Sequence, residues 1–314
     1  MQSISLPLAI PGFNVPAALT LPDAEIQGAV LLIPGSLFSD VDGNFPVWQS
    51  FPRVYAHLAE GLARHGLASL RFAKLGPGTG SQEVDPTLAA TSRTWAGRHR
   101  TARLALDLLR TELQRRGWER LKVAIAGHSE GAVVASVLAR DGVEADGIVL
   151  LSGPSVGILD IMLEQNRAMP NASEEQIHTL EEVVALIRRG EPIPNALKER
   201  AAGPTGAGAL VTFPPDALTY MREVDATDPV AAIAHYEKPV LIVQGGADDS
   251  VPPHHAEALR AARANRPTEC AFFAELQHCY KKVPPNTPST QSFGWPGPTD
   301  PRIDEAIAAW MECL

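Results

Sequence analysis

The chain has 314 residues, of which 45% are hydrophobic and 20% are charged. This composition is typical of a globular protein whose core is large enough to be stable without disulfides. The formal net charge of −9 repels phosphate backbones, so we expect no nucleic-acid partner. No apolar run approaches the ~20 residues that a membrane-spanning helix needs, so we expect no membrane span.

Cysteine usage and the first residues indicate the cellular compartment. The three cysteines, Cys270, Cys279 and Cys313, are odd in number and contain no CxxC pair, which favours a reducing compartment over a disulfide framework. The first 22 residues lack a basic segment followed by a continuous apolar run, the pattern of a targeting signal. We therefore expect a cytoplasmic protein, with Cys279 serving as a small buried hydrophobe.

Short apolar runs alternate with helical patterns over the first half of the chain. An N-terminal pair of strands is predicted, with its turn at Pro11-Gly12. Buried strands are predicted at 28–34, 67–72, 121–126 and 148–151, and helices at 48–65, 95–116 and 132–140. This alternation is typical of a parallel sheet with helices on both faces, so the predicted fold class is α/β.

The alternation stops between residues 155 and 235, where only helical patterns occur. These lie at 159–168, 174–188 and 215–221, with a further helix expected to begin at Asp228-Pro229. The alternation resumes with strands at 240–244 and 270–273 and helices at 254–264 and 303–312. We therefore predict a core formed by 1–154 and 236–314 and an inserted helical cap at 155–235. The segment 284–301 is predicted to be a surface loop.

A G-x-S-x-G sequence, Gly127-His-Ser-Glu-Gly131, stands between a predicted strand and a predicted helix. In that context the motif is a nucleophile elbow, a sharp turn that exposes the serine at the carboxyl edge of the sheet. Glycine is needed at Gly127 and Gly131 because a Cβ there would strike neighbouring backbone. Ser129 is therefore the candidate nucleophile.

A serine nucleophile needs a base that is oriented by an acid, and this fold gives them in the order Ser, Asp or Glu, His. Asp248 and Asp249 follow the strand predicted at 240–244. We prefer Asp248 as the acid and expect Asp249 to face solvent. His278 is the histidine that follows the last predicted strand, so it is the candidate base.

The other histidines near these motifs are assigned no catalytic role. His254 and His255 are expected to be exposed residues at a helix start, and His128 to pack locally. We predict no cofactor and no catalytic metal, because no carboxylate–histidine group has metal-ligand spacing along the chain.

An oxyanion hole requires two backbone N–H donors. One is expected from Glu130, the residue after the nucleophile. The other is expected from the loop after the strand that ends near Ile33, with Ser36 preferred and Leu37 as the neighbouring alternative.

Together these motifs resemble the α/β-hydrolase superfamily, and within it the bacterial serine carboxylesterases. The likeness covers nearly the whole chain except the inserted segment. It implies an α/β-hydrolase fold with a mostly parallel eight-stranded sheet. The matching segments are Gly35-Ser-Leu-Phe-Ser-Asp-Val-Asp-Gly-Asn44, Leu58-Ala-Glu-Gly-Leu-Ala-Arg-His-Gly66, Arg71-Phe-Ala-Lys-Leu-Gly76, Gly127-His-Ser-Glu-Gly131, Asp228-Pro229 and Gly245-Gly-Ala-Asp248.

The chain departs from the family pattern at four positions. The family often has Gly where Leu37 stands and Arg where Val41 stands, and Asp and Arg where Ala73 and Leu75 stand. The change at Leu37 puts the shape of the oxyanion loop in doubt, whereas none of the four affects the candidate triad. Arg71 and Lys74, which flank Ala73, are expected to be structural.

The predicted function is hydrolysis of a small-molecule carboxylic ester. Three alternatives stay open: acyl transfer to another acceptor, cleavage of an amide or peptide, and a non-catalytic ligand receptor on the same scaffold. Apolar residues of the inserted segment suggest an apolar acyl or alcohol group, although packing of the segment on the core explains them as well. These residues are Leu159, Met162, Leu163, Leu186 and Met221.

Overall fold

A mostly parallel β-sheet organises the protein. The computed structural model describes residues 1–201, 203, 206–284, 287, 291 and 293–314. In chain order the strands are β1 (Gln2–Ile10), β2 (Phe13–Leu21), β3 (Gly28–Ile33), β4 (Leu67–Phe72), β5 (Gln82–Glu83), β6 (Lys122–His128), β7 (Gly147–Leu151), β8 (Val240–Gly245) and β9 (Thr268–Phe273). Eight of them lie in the order β1-β2-β4-β3-β6-β7-β8-β9.

The sheet agrees with the predicted fold class and differs by one short strand. β1 and β2 form an antiparallel hairpin, and β2 pairs antiparallel with β4. From β4 to β9 all neighbours are parallel. The ninth strand, β5, has two exposed residues that pair with β2. Its sequence carries no apolar run, so no pattern indicated it.

Helices lie between most of the parallel strands. The described residues form α1 (Val54–Arg64), α2 (Pro86–Ser92), α3 (Trp95–Gln114), α4 (Glu130–Arg140), α5 (Ile158–Arg167), α6 (Glu174–Arg189), α7 (Asn195–Arg200), α8 (Ala207–Val211), α9 (Pro215–Asp225), α10 (Pro229–Ala234), α11 (His254–Ala261) and α12 (Pro301–Met311).

Both faces of the sheet are covered, which explains why the parallel strands are continuously apolar. Successive side chains of a strand point to opposite faces. Leu31 of β3 belongs to a buried cluster with residues of α3 and α4, such as Leu109. Leu32 belongs to a second cluster with residues of α1 and α12, such as Leu58 and Ile307.

The prediction for α1 is wrong at its N-terminus. The helical pattern begins at residue 48, but the helix begins at Val54. Pro52 disfavours helical dihedrals at the preceding Phe51, and Arg53 has left-handed dihedrals with φ of 53°. A short 3₁₀ turn at Pro46–Trp48 precedes this break.

Between β7 and β8 the described residues form helices joined by turns and no strand, in agreement with the helical patterns of the sequence. Helices α5, α6 and α9 correspond to the three predicted there, whereas α7 and α8 have six and five residues and were not predicted. A third buried cluster, separate from the two on the sheet, contains residues such as Leu159, Leu180 and Val183. Asp228 caps α10 by accepting a hydrogen bond from the Ala231 N–H.

Residues 285, 286, 288–290 and 292 of the loop predicted at 284–301 lie outside the described residues. Among the helices that are described, none combines the length and the apolarity needed to cross a bilayer.

One buried carboxylate on α12 opposes folding at neutral pH. The Asp304 side chain is 1% exposed and lies 3.6 Å from Arg64 Nη2 and 3.5 Å from His65 Nε2. Among the described residues neither of its oxygens has a hydrogen-bond partner. Burial raises the pKa of Asp304 from 3.8 to about 6, against the opposing effect of the Arg64 charge.

Replacing this carboxylate by an amide should stabilise the protein above pH 6. The folded state retains a proton that the unfolded state releases near pH 3.8, so the contribution of Asp304 to stability is present below that pH and is lost as the pH rises through about 6. We expect Asp304→Asn to increase the free energy of unfolding at pH 8 by about 2–3 kcal/mol. Urea unfolding at pH 5 and pH 8 measures this change.

The control is Glu305→Gln, which removes an exposed carboxylate from the same helix. Its charge makes the smallest of the named contributions to the Asp304 pKa, so this variant should change the free energy of unfolding far less than Asp304→Asn does. A destabilised Asp304→Asn protein at pH 8 would contradict the role assigned to burial.

Candidate active site

The turn between β6 and α4 is strained at Ser129. Its φ of 56° and ψ of −123° lie in a region that costs a non-glycine residue of order 1–3 kcal/mol. The Ser129 N–H donates to the Leu151 carbonyl at 2.9 Å, which ties the turn to the end of β7. The serine therefore lies on the strand–turn–helix that a nucleophile elbow requires.

The glycines around this turn are required sterically. A Cβ on Gly127 would lie 2.0 Å from the Gly131 oxygen, and one on Gly131 would lie 2.4 Å from the Ile33 oxygen. A Cβ on Gly35 would lie 3.2 Å from the Ser129 Cβ. The turn, the start of α4 and the residues that end β3 are therefore packed backbone against backbone, and Gly35 lies tightly against the Ser129 side chain.

The candidate acid and base are hydrogen-bonded to each other. Asp248 Oδ2 lies 2.8 Å from His278 Nδ1. Its other oxygen, Oδ1, accepts the N–H groups of Ser250 and Val251 at 3.0 and 2.9 Å. Burial opposes ionisation of Asp248, but the contact with His278 and the Val251 N–H outweigh it and lower the pKa of this carboxyl. Asp249 is exposed, as predicted.

Ser129 and His278 line one cavity of about 1010 Å³. The His278 ring also packs against Phe293, with centroids 5.6 Å apart. Among the described contacts there is no hydrogen bond between the Ser129 hydroxyl and His278. Such contacts are often loose without substrate and tighten when substrate binds.

The three oxyanion candidates, Ser36, Leu37 and Glu130, line the same cavity. Glu130 is the first residue of α4, where the N–H has no intrahelical acceptor. The Gly35 N–H already donates to Tyr55 Oη at 2.8 Å, so Gly35 is not available as a donor. Ser36 and Leu37 remain the candidates from this loop.

A chain of hydrogen bonds that the sequence did not indicate connects the oxyanion loop to the His278 loop. Because Tyr55 Oη accepts the Gly35 N–H, its own proton is free to bond His128 Nδ1, 3.1 Å away. The remaining proton of neutral His128 is then on Nε2, which donates to the His278 carbonyl at 2.9 Å. His128, predicted to pack only locally, therefore bridges two loops.

His128 remains uncharged in this chain. The residue is 4% exposed, and burial, assisted by repulsion from His278, lowers its pKa to about 3. A neutral imidazole is what the bridge requires, since one ring nitrogen must accept and the other must donate.

A second group missed by the sequence surrounds the Glu130 carboxylate. Its Oε1 accepts from Lys74 Nζ at 2.7 Å and from Tyr220 Oη at 3.0 Å, and Arg98 Nε lies 3.5 Å away. Lys74 Nζ also donates to the Ser36 carbonyl at 2.6 Å. Lys74 was expected to be structural, and it does hold the oxyanion loop, but it also lines the cavity.

The charges in this group stabilise one another. Burial opposes ionisation of Glu130, but the charges of Lys74 and Arg98 outweigh it and lower the pKa of the carboxyl. Burial lowers the pKa of Lys74 to about 8, although the Glu130 charge opposes this shift. The pairing of Lys74 with Glu130 spans 56 residues, and Tyr220 comes from the inserted segment, so no local sequence signal marked this group.

Of three expectations for neighbouring residues, one is wrong and two are confirmed. His255 was expected to be exposed, but it is fully buried against Ser155 and Glu164, because α5 covers the start of α11. His254 is exposed, as expected. Cys279 is buried as expected, and burial raises the pKa of its thiol to about 12.

Comparisons with known proteins agree with this architecture. The model of the alpha/beta hydrolase family matches residues 30–280. No curated protein sequence matches the chain.

Several solved structures resemble the fold along the full chain. Est1E from Butyrivibrio proteoclasticus is 17% identical, with a TM-score of 0.54 over 98% of this chain and 97% of its own. A thermostable carboxyl esterase from Bacillus coagulans is 15% identical, with a TM-score of 0.55 over 100% and 99%. The esterase domain of a Rhodothermus marinus protein is 13% identical, with a TM-score of 0.53 over 99% and 98%.

Removing the Tyr55 hydroxyl should weaken both stability and Ser129 reactivity. In Tyr55→Phe the buried Gly35 N–H and His128 Nδ1 lose their shared partner, which costs about 1–3 kcal/mol. We expect a fluorophosphonate probe to label Ser129 at least about tenfold more slowly, because the loops that flank it lose their connection. Labelling rates and urea unfolding measure the two effects.

Tyr236→Phe is the matched control. Tyr236 is also buried, and its hydroxyl donates to the Ala145 carbonyl at 3.2 Å, away from the cavity-lining residues. This variant should lose stability and keep the wild-type labelling rate. Equal labelling of the Tyr55→Phe and wild-type proteins would show that the hydrogen-bond chain does not position the site.

Proposed function

The chain belongs to the α/β-hydrolase family, and from this premise we propose that it is a serine hydrolase that cleaves carboxylic esters through an acyl-enzyme intermediate. The observation that carries the proposal is the 2.8 Å contact between Asp248 and His278, beside the strained Ser129 in one cavity. The esterase names of the structural neighbours support the choice of ester as substrate.

The first half of the proposed reaction acylates Ser129. His278 Nε2 takes the Ser129 proton as Oγ attacks the ester carbonyl. Asp248 accepts a hydrogen bond from His278 Nδ1–H, which fixes the tautomer and stabilises the imidazolium that forms. Because its pKa is lowered, Asp248 is ionised at neutral pH.

The negative charge that develops on the carbonyl oxygen is met by backbone donors. The Glu130 N–H at the start of α4 supplies one, and Ser36 or Leu37 supplies the other. The Glu130 side chain points instead into the cluster with Lys74 and Tyr220. Lys74 thus has a positioning role, because its ammonium group holds both the Ser36 carbonyl and the residue after the nucleophile.

The second half releases the acid. The alcohol leaves with the proton from His278, and water then enters the cavity. The same histidine takes a proton from this water as it attacks the acyl-enzyme carbonyl, and it returns the proton to Ser129 Oγ. The imidazole of His278 therefore carries out every proton transfer in both halves of the reaction.

We also propose that residues 155–235 act as a cap that selects the substrate. Residues of α5 and α9, including Ile161, Met162 and Met221, line the cavity that contains Ser129. Leu159, Leu163 and Leu186 do not line it; they pack within the helical segment. Most residues of this segment that line the cavity are apolar, with Gln165, Asp216, Tyr220 and Thr227 as the exceptions. This predominance favours an apolar acyl or alcohol group.

Loss of the nucleophile should abolish ester hydrolysis. We expect wild-type protein to hydrolyse short or medium p-nitrophenyl esters and Ser129→Ala to lower kcat by at least about 10⁴-fold. Ser136→Ala is the matched control, because this buried hydroxyl lies on the same helix, bonded to the Ala132 carbonyl. Wild-type protein that cleaves no ester and resists a fluorophosphonate probe would refute the proposal.

Widening the cavity at Met162 should shift the preference toward longer esters. We expect Met162→Ala to raise the ratio of kcat/KM for octanoate to that for butyrate p-nitrophenyl esters by about tenfold. Leu186→Ala, a similar truncation that packs within the helical segment and does not line the cavity, should leave the ratio unchanged. If the two variants behave alike, the helices do not select the acyl chain.

A further inference from the structure

Folding brings three potential metal ligands together outside the residues that line the Ser129 cavity. They are Glu164 on α5 and the adjacent His254 and His255 at the start of α11, and their ligand atoms lie within 4.8 Å of one another. Glu164 Oε2 is 2.9 Å from His255 Nε2 and 3.5 Å from His254 Nε2. Glu164 and His255 are 91 positions apart along the chain, so sequence spacing does not reveal this group.

The donor set and its spacing suit Zn²⁺. Two imidazoles and one carboxylate are a common protein ligand set for zinc, with bonds of about 2.0–2.2 Å. Tetrahedral donors at that bond length lie roughly 3.3 Å apart. The two carboxylate–imidazole distances fall on either side of this value, and the imidazole nitrogens lie within 4.8 Å of each other. Side-chain movements of up to about 1.5 Å therefore bring all three donors into range.

His255 is held between Ser155 and Glu164. Its side chain is fully buried, and Nδ1 accepts the Ser155 N–H at 3.2 Å and lies 2.8 Å from Ser155 Oγ. When Nε2 binds a cation, the ring proton must move to Nδ1, where it donates to the Ser155 hydroxyl in place of the contact with the Ser155 N–H. Such an outer hydrogen bond fixes metal-bound histidines.

We propose that Glu164, His254 and His255 form a Zn²⁺ site, with water completing the coordination. Water has access because the His254 and Glu164 side chains are 58% and 33% exposed. The proposal is independent of the ester-hydrolase proposal, because none of the three ligands takes part in the reaction at Ser129.

The ion would fasten α5 to the core. Helix α5 supplies Ile161 and Met162 to the wall of the cavity. The adjacent Gln165 already donates to the Ser250 carbonyl at 2.8 Å, two residues from Asp248. Zinc bound between α5 and α11 adds a second link on the same side, so its expected role is to stabilise this wall.

Calorimetric titration of the untagged, EDTA-treated full chain with Zn²⁺ tests the proposal. We expect one ion per chain and a higher unfolding temperature with zinc. His254→Ala and Glu164→Gln should each lower the affinity at least about 100-fold and remove the thermal shift. Ser155→Ala, which removes the outer partner of His255, should lower the affinity about 10–100-fold.

His178→Ala is the matched control. His178 is exposed and lies 3.1 Å from Glu182 on the same helix, so it represents an ordinary surface histidine–carboxylate pair. This variant should bind zinc like wild type. Failure of wild-type protein to bind one ion, or unchanged binding by His254→Ala, would overturn the proposal. Ester hydrolysis measured in EDTA separates this result from the fate of the hydrolase proposal.

Discussion

The close packing of backbone around Ser129 is the constraint on which the rest of the site depends. Gly127 and Gly131 let the end of β6, the start of α4 and the end of β3 approach more closely than a Cβ permits, and a Cβ on Gly35 would be tightly packed against Ser129. The strain at Ser129, of order 1–3 kcal/mol, is retained because the sheet fixes both sides of the turn. The Ser129 N–H bond to Leu151 is one of the contacts that hold it.

Two separate networks hold the loops that meet at this turn. The first is neutral and runs from Gly35 through Tyr55 and His128 to the His278 carbonyl. The second is charged and joins Lys74 to Glu130 and to the Ser36 carbonyl. Buried charges carry a desolvation cost, and removing one partner leaves the other uncompensated. The charged network therefore fixes a geometry more than it adds stability.

Much of the fold could be predicted because buried parallel strands are continuous apolar runs. The apolar runs predicted the bounds of β3, β4 and β8 to within one residue. The motif at Ser129 was recognisable because it consists of five consecutive residues. The start of α1 was misplaced because the helical spacing of apolar residues continues across Pro52, whereas the helical backbone begins only after it, at Val54. β5 was missed because two exposed residues carry no periodic pattern.

The rest of the site could not be predicted because it depends on long-range pairing. Lys74 meets Glu130 across 56 residues, and His255 meets Glu164 across 91. Nothing in the local sequence distinguishes any of these four polar residues from an ordinary surface residue. Only the order of strands and the path of the helices after β7 bring these partners together and bury them.

The absence of charge on His128, in the neutral network, is important for the neighbouring candidate base, His278. The rings of His128 and His278 have centroids 4.7 Å apart, so a positive charge on His128 would oppose the imidazolium that His278 must form. Burial holds the pKa of His128 near 3, which removes that repulsion at neutral pH. The Tyr55 hydroxyl and the His278 carbonyl satisfy both nitrogens without a second proton. Because it is buried and stays in its neutral Nε2–H tautomer, His128 can hold the His278 loop without destabilising the positive charge that forms on His278.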